Sequence, residues 1–188
     1  IKKILLIDDT KIQFLNLHTL RNQIGIVPQE TFLFGGTIKE NILYGKTDAT
    51  EEEIVNAAMK ANAHNFISEF ENKYETIVGE RGIQLSGGQR QRIAIARILY
   101  TDVDLYIFDD CLSAVDVKKE KEILNNIIDT TREKTTIIIS HRISSFKSTN
   151  KIIVLENGQV TEMGNHKKLI SDKGFYSKMF QLQLKNTN

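Results

Sequence analysis

The 188-residue chain has one cysteine, Cys111, and one proline, Pro28. A single thiol excludes an internal disulfide and fits a reducing compartment. Long apolar runs are also missing. Stretches such as Ile4–Ile7 and Ile152–Leu155 fall far short of the roughly 18 residues that a membrane-crossing helix needs. Any membrane link is therefore expected through a partner or a segment outside this sequence. There is no excess of one charge: 25 basic residues face 24 acidic ones, for a formal net charge of +1. That gives no electrostatic basis for nucleic-acid binding. The opening IKKILLIDD combines basic and apolar residues, but Asp8 and Asp9 interrupt it too early for a signal peptide. Its first residue is Ile rather than Met, so the natural N-terminus is expected to lie elsewhere.

What is present suits one globular domain with a lobe attached. Hydrophobic residues make up 40% and charged residues 26%, ordinary proportions for a folded core. Short runs rich in β-branched residues recur at Ile4–Ile7, Ile24–Val27, Leu105–Phe108, Thr135–Ile139 and Ile152–Leu155. Such runs predict buried strands of a mostly parallel sheet. Between them, Thr50 followed by Glu53 forms a capping box, and Ile54, Ala57, Ala58 and Ala61 follow at helical spacing. Further helical faces carry Ile95, Ile98 and Leu99, then Ile123, Leu124, Ile127 and Ile128. Asn157-Gly158 between two strand-like runs predicts a hairpin. The order implies an α/β fold with a helical insertion. Residues 1–36 begin the core, 37–100 form a helical subdomain, and 101–188 continue the core. The tail after Gln181 is polar and expected to fray.

Four places carry candidate chemistry. Leu85-Ser86-Gly87-Gly88-Gln89 opens a helix expected over Arg90–Tyr100. Glycines there leave backbone N–H groups accessible at the positive end of the helix dipole, which suits a phosphate. The same pattern also serves a helix entry without a ligand. Leu105–Asp110 ends a buried strand on Asp109 and Asp110, where α/β proteins place ligands; Asp109 would hold Mg²⁺ and Asp110 would face an attacking water. A paired acid can equally just begin a turn. His141 closes the run Thr136–Ser140, positioned to reach a phosphate or orient a water. Gln29 follows Ile26-Val27-Pro28, where its amide could meet a metal ion or water. Cys111 has no metal-ligand cluster near it. His18 and His64 are expected in solvent, His166 at the start of a terminal helix, and Lys118–Glu122 on a charged helix face.

Together these segments resemble the nucleotide-binding domain of ABC transporters. GERGIQLSGGQRQRIAIAR resembles the signature motif and IGIVPQETFLF the Q-loop. YIFDD resembles the Walker B strand, Ser113–Asp116 the D-loop, and Ser140-His141-Arg142 the H-loop. They stand in the family's order, from Ile4 to about Leu182, and FGGTIKENILYG is similar to the exporter branch, where this region meets transmembrane coupling helices. The resemblance implies a P-loop-type α/β core with a mostly parallel sheet and an inserted helical subdomain, ATP and Mg²⁺ as cofactors, and a head-to-tail dimer of two such domains. It implies that Ser86, Gly87, Gly88 and Gln89 serve the partner's ATP. Gln29, Asp109, Asp110 and His141 would serve this domain's own nucleotide, with Gln29 and Asp109 toward the metal. Asp116 would communicate across the dimer. The location implied is the cytoplasmic face of a membrane, attached to an exporter's transmembrane domains.

Two departures qualify what the resemblance implies. No G-x-x-x-x-G-K-[ST] occurs in the sequence, and the chain begins about where the P-loop strand and helix would have passed. The family's usual Glu after the Walker B Asp is Asp110 here, a replacement seen on the weak-site subunit of heterodimeric exporters. The chain alone is therefore expected to be inactive. A pairing module that supplies only a signature to a partner is the competing reading. A DNA-repair or translation ATPase is a third, disfavoured because Gln29 and Ser86 lie 57 positions apart with no sustained heptads between them and because the net charge is near zero.

Overall fold

The computed structural model describes residues 5–44, 48–79 and 83–185. Ile4, Gly45 and Glu80–Gly82, named in the motifs above, lie outside the described residues. In chain order the elements are β1 (Leu6–Ile7), β2 (Thr10–Lys11), α1 (Leu17–Asn22), β3 (Ile24–Val27), β4 (Gly36–Thr37), α2 (Ile38–Leu43), α3 (Glu51–Lys60), α4 (His64–Ser68), β5 (Ile77–Val78), α5 (Gly87–Tyr100), β6 (Leu105–Asp109), α6 (Val117–Thr130), β7 (Thr135–Ile139), β8 (Ile152–Glu156), β9 (Gln159–Gly164), α7 (His166–Ser171) and α8 (Phe175–Lys185). They form two compact units, Ile1–Ile137 and Ile138–Asn188.

The first unit is built on a sheet of order β3-β6-β7 in which β3 and β6 run parallel; of β7, Thr135–Ile137 belong to this unit. Parallel pairing sets Gly25 beside Tyr106 and Val27 beside Phe108. Alternation then puts Val27, Tyr106 and Phe108 on one buried face. Helix α5 packs there so closely that a Cβ on Gly25 would lie 3.0 Å from Ile98 Cγ2. The opposite face, which pairs Ile24 with Leu105 and Ile26 with Ile107, is not equally covered: Ile26 is 53% exposed. Parallel sheets ordinarily bury both faces, so this unit carries apolar surface that would be stabilised by cover.

Helices α2 and α3 pack on the other side of α5. The capping box read from the sequence is present on α3: Thr50 accepts from the N–H of Glu53, and the Glu53 carboxylate accepts from that of Thr50. Thr37 and Glu40 form a second one on α2, unread in the sequence because the helix behind it is so short. Asn41, 1% exposed, exchanges hydrogen bonds with Phe34 N–H and C=O, both at 2.9 Å, and Arg97 donates to its backbone and side-chain oxygens. This buried amide ties the segment after Gln29 to α5.

In the second unit, β8 and β9 form an antiparallel hairpin turning on Asn157 (φ 50°) and Gly158 (φ 75°), the positive-φ pair that a tight two-residue turn demands. Its core gathers Ile143, Ile152, Leu169 and Tyr176. Among the described residues no helix is long and apolar enough to cross a membrane.

Several expectations need correction. Of the run Ile4–Ile7, the described residues do not supply a buried strand of the parallel sheet: Leu6–Ile7 pairs antiparallel with β2 across Asp8 and Asp9, both at positive φ. Ile152–Leu155 belongs to the hairpin, not to the parallel sheet. Lys118–Glu122 is not a uniformly solvated face, since Glu120 is 2% exposed. His64 is half-buried, with Nδ1 2.8 Å from the Tyr74 hydroxyl. In each case the sequence shows polarity or a run length, while tertiary neighbours decide burial.

Candidate functional site

Parallel pairing of β3 with β6 ends at Val27 and Phe108. Gln29 and Asp110 each lie two residues beyond that pair, so they emerge together at the carboxyl edge of the sheet, the usual ligand position in α/β folds. Gln29 Nε2 donates to Asp110 Oδ2 at 3.5 Å. Asp109 is the last residue of β6 and half-buried, whereas Asp110 is 6% exposed. Asp110 has φ 44°. A left-handed conformation costs about 1–2 kcal/mol for most L-residues, less for Asp, whose side chain bonds locally. The turn that follows closes with Ser113 N–H donating to Asp110 C=O at 3.3 Å.

Cys111 packs behind this turn, and burial pushes its thiol up to about 12 from a usual 9.0, with Asp110 and Asp109 adding to the rise. The thiolate, not the thiol, is the nucleophile. Cys111 is therefore expected to resist iodoacetamide at pH 8 in the native chain and to react at once in urea. The linkage has a definite sign. An unfolded thiol ionises from about pH 9 while the folded one stays protonated, so this residue's contribution is complete below pH 9 and is lost as pH rises toward 12. Rapid native labelling would contradict the buried placement.

The signature segment caps α5. Its helix begins at Gly87, one turn earlier than the sequence reading of Arg90, because Ser86 is the N-cap. Ser86 Oγ accepts from Gln89 N–H at 3.2 Å, and Gln89 Oε1 accepts from Ser86 N–H at 2.9 Å. The reciprocal pair fixes the helix entry, while the first-turn N–H groups of Gly87 and Gly88 have no intrahelical acceptor. Gly88 also has a packing reason: a Cβ there would come within 2.7 Å of Ala114 C=O.

Asp116 caps α6, accepting from Lys119 N–H at 3.0 Å with Lys119 Nζ 3.4 Å away. The backbone N–H first, and the ammonium with it, hold its carboxyl below the usual range. His141 lies in the second unit, exposed, and its carbonyl accepts from Gln183 Nε2 at 2.7 Å. Gln183 Oε1 accepts in turn from Ile143 N–H at 2.8 Å.

Two glutamines escaped the sequence reading. Gln183 lies 42 positions from His141, and no local pattern marks it. Gln91 was findable: it sits one helical turn after Gly87 and Gly88, on the face those glycines share.

Gln29, Asp109 and Asp110 suit the oxygen-rich surroundings of a divalent cation and its waters. Among the described residues no group of three or more His, Cys, Asp or Glu could hold a metal by itself, so further oxygens would have to come from water or ligand. A triphosphate fits this edge poorly. Two of its three side chains are acids, and the sequence has no glycine-rich loop with Lys. The signature end fits an anion better, through the helix entry at Gly87 and Gly88.

The sheet edge carrying Gln29 and the paired acids and the capped Ser-Gly-Gly-Gln helix sit in an α/β fold that matches the nucleotide-binding domain of the ABC type. The comparisons agree: the family model described as ABC transporter matches residues 2–113, and the chain belongs to that family. It is 47% identical over 179 residues to "Putative multidrug export ATP-binding/permease protein YgaD" of Bacillus subtilis (strain 168), covering 95% of this chain and 31% of that protein. It is 48% identical over 178 residues to ABC transporter B family member 4 of Dictyostelium discoideum, covering 95% and 23%. A bacterial Atm1-family ABC exporter solved with ATP bound superposes with TM-score 0.89 at 40% identity, covering 95% of this chain and 32% of that one. The chain thus spans under a third of each of these proteins.

Proposed function

We propose that this chain is the energy-coupling ATPase domain of an ABC exporter, working at the cytoplasmic face of a membrane in a head-to-tail dimer with a second such domain. Two arrangements support the reading. Gln29, Asp109 and Asp110 share one sheet edge, and the Ser86-capped entry of α5 is the half-site offered to a nucleotide on the partner. ATP with Mg²⁺ supplies the phosphoanhydride that such a dimer cleaves. This chain's residues position and polarise: Asp109 with Gln29 serves the cation, Asp110 accepts a proton from water, and His141 orients. Asp116 ends the D-loop that faces the partner and caps α6.

The transmembrane part docks beside the Q-loop. A cavity of about 950 Å³ there is lined by Phe32, Leu33, Gly36, Ile77, Ile83 and Arg90. Phe32 is 67% and Ile77 56% exposed, giving an apolar seat for a short coupling helix. The competing reading, a pairing module that supplies only the signature, is favoured by the shortened Asp110.

Ser86→Asp separates function from folding. Asp is as good an N-cap as Ser, so the helix keeps its entry, but a carboxylate then faces the partner's phosphates. In the full-length transporter reconstituted in liposomes, Ser86→Asp is expected to cut ATP-driven transport by about 10²-fold or more, since removing or opposing one well-placed charge contact costs a few kcal/mol. Ser86→Thr should retain most of it. Wild-type transport in Ser86→Asp would overturn the assignment of this helix end.

A further inference from the structure

Gln91 is 6% exposed, and both arms of its amide face the loop between β6 and α6. Its Oε1 accepts from Ala114 N–H at 3.2 Å, and its Nε2 reaches Ser113 Oγ at 3.5 Å. A buried amide costs free energy unless paired, and an apolar residue of that size would otherwise serve the core better. Its neighbours shape the same contact. Gly88 lets Ala114 C=O approach where any Cβ would intrude, and a Cβ on Gly87 would sit 3.5 Å from that of Ala114.

Farther along, the helix that follows the loop is tied to the helical subdomain as well. Asn62 Nδ2 donates to Glu122 Oε2 at 2.7 Å, and Asn126 Nδ2 donates to Lys60 C=O at 2.8 Å. Arg92, one residue after Gln91, donates to Asn62 C=O at 2.6 Å. The connection back to β6 runs through Asp110, a left-handed residue at φ 44°.

We propose that Gln91 is a positioning residue that fastens Ser113–Asp116 to the signature helix, so that signature and D-loop move as one body and meet the partner domain as one surface. This rests on the exporter reading for its consequence, although the clamp itself does not.

Both parts are tested on the full-length transporter with Gln91→Met, which keeps the volume and removes the hydrogen bonds, and Gln91→Glu, which keeps the acceptor for Ala114 N–H. Amide hydrogen exchange at 113–116 is expected to speed up about tenfold in Gln91→Met, the loss of one hydrogen bond, with α5 unchanged. Gln91→Glu should stay near wild type. ATP turnover is expected to fall about tenfold in Gln91→Met with KM for ATP within twofold, because misplacement affects the assembled site more than nucleotide capture. Gln91→Glu should restore at least half. Unchanged exchange in Gln91→Met overturns the clamp. Faster exchange with unchanged turnover overturns the positioning role while the exporter reading stands, because that reading is judged by Ser86→Asp.

Discussion

Titrating the 188-residue chain with Mg-ATP by calorimetry is expected to show no saturable binding at micromolar concentrations, and no phosphate release. A micromolar complex needs about 8 kcal/mol. In P-loop proteins much of that comes from a ring of backbone N–H groups and a Lys on the phosphates, with a Ser or Thr on the metal. The sequence holds no such loop. What stands at the sheet edge is Gln29, hydrogen-bonded to one of two adjacent acids. Those acids repel a triphosphate unless a cation and a lysine intervene. The N-terminus of α5 adds a dipole worth about 0.3–1 kcal/mol per exposed charge, and Ser86 and Gln89 already spend their side chains on each other. Saturable micromolar binding with the nucleotide beside Asp109 would refute this and require a phosphate cradle elsewhere in the chain.

Asp110→Glu in the full-length transporter is expected to raise turnover at this domain's own site by up to about 10²-fold, within the 10²–10⁴ that a general base contributes. Asp lacks one methylene, which withdraws the carboxylate by about 1.5 Å, one C–C bond. In this structure the short side chain meets Gln29 at the strand edge, whereas a longer one would extend past it toward a water. The backbone sets a small counter-cost. At φ 44° Asp is among the residues that tolerate a left-handed conformation and Glu is less favoured, so the variant should lose about 1 kcal/mol or less of stability. Asp110→Asn, which keeps the conformation without the base, should depress whatever turnover the wild type has. If Asp110→Glu leaves the rate unchanged and the natural assembly is a homodimer, the slow-site assignment fails.

The exposed side of the sheet has a physical bearing on both experiments. Ile26 and Ile137 present apolar surface that association would cover, and about 25 cal/mol per Å² favours that cover. Calorimetry on the chain therefore calls for a check of its oligomeric state.

Legibility differed from element to element. Where a signal is local, it was readable. Thr50 and Glu53 announce their helix by a reciprocal cap, and Asn157-Gly158 announces a hairpin because few residues adopt positive φ twice in succession. Asp109 and Asp110 after four apolar residues mark a strand end whether or not the rest of the fold is known. Where partners are distant in sequence, it was not. Helical spacing from Ile123, Leu124 and Ile127 places Glu120 on the inward face and Lys119 off it, but nothing local gives His64 the hydroxyl of Tyr74.

The sequence by itself determined the family, the order of the motifs, the helical insertion and the shortened acid at 110, because each is written in residue identity and short-range spacing. Only the tertiary structure decided that Ser86 and Gln89 cap each other, that Gly88 is needed for a carbonyl from Ala114, and that Gln91 holds the D-loop. It also decided that Leu6–Ile7 and Ile152–Glu156 leave the parallel sheet for antiparallel pairs. Those outcomes depend on which backbone groups meet across tens of residues. A buried polar group must find its partner wherever the fold places one.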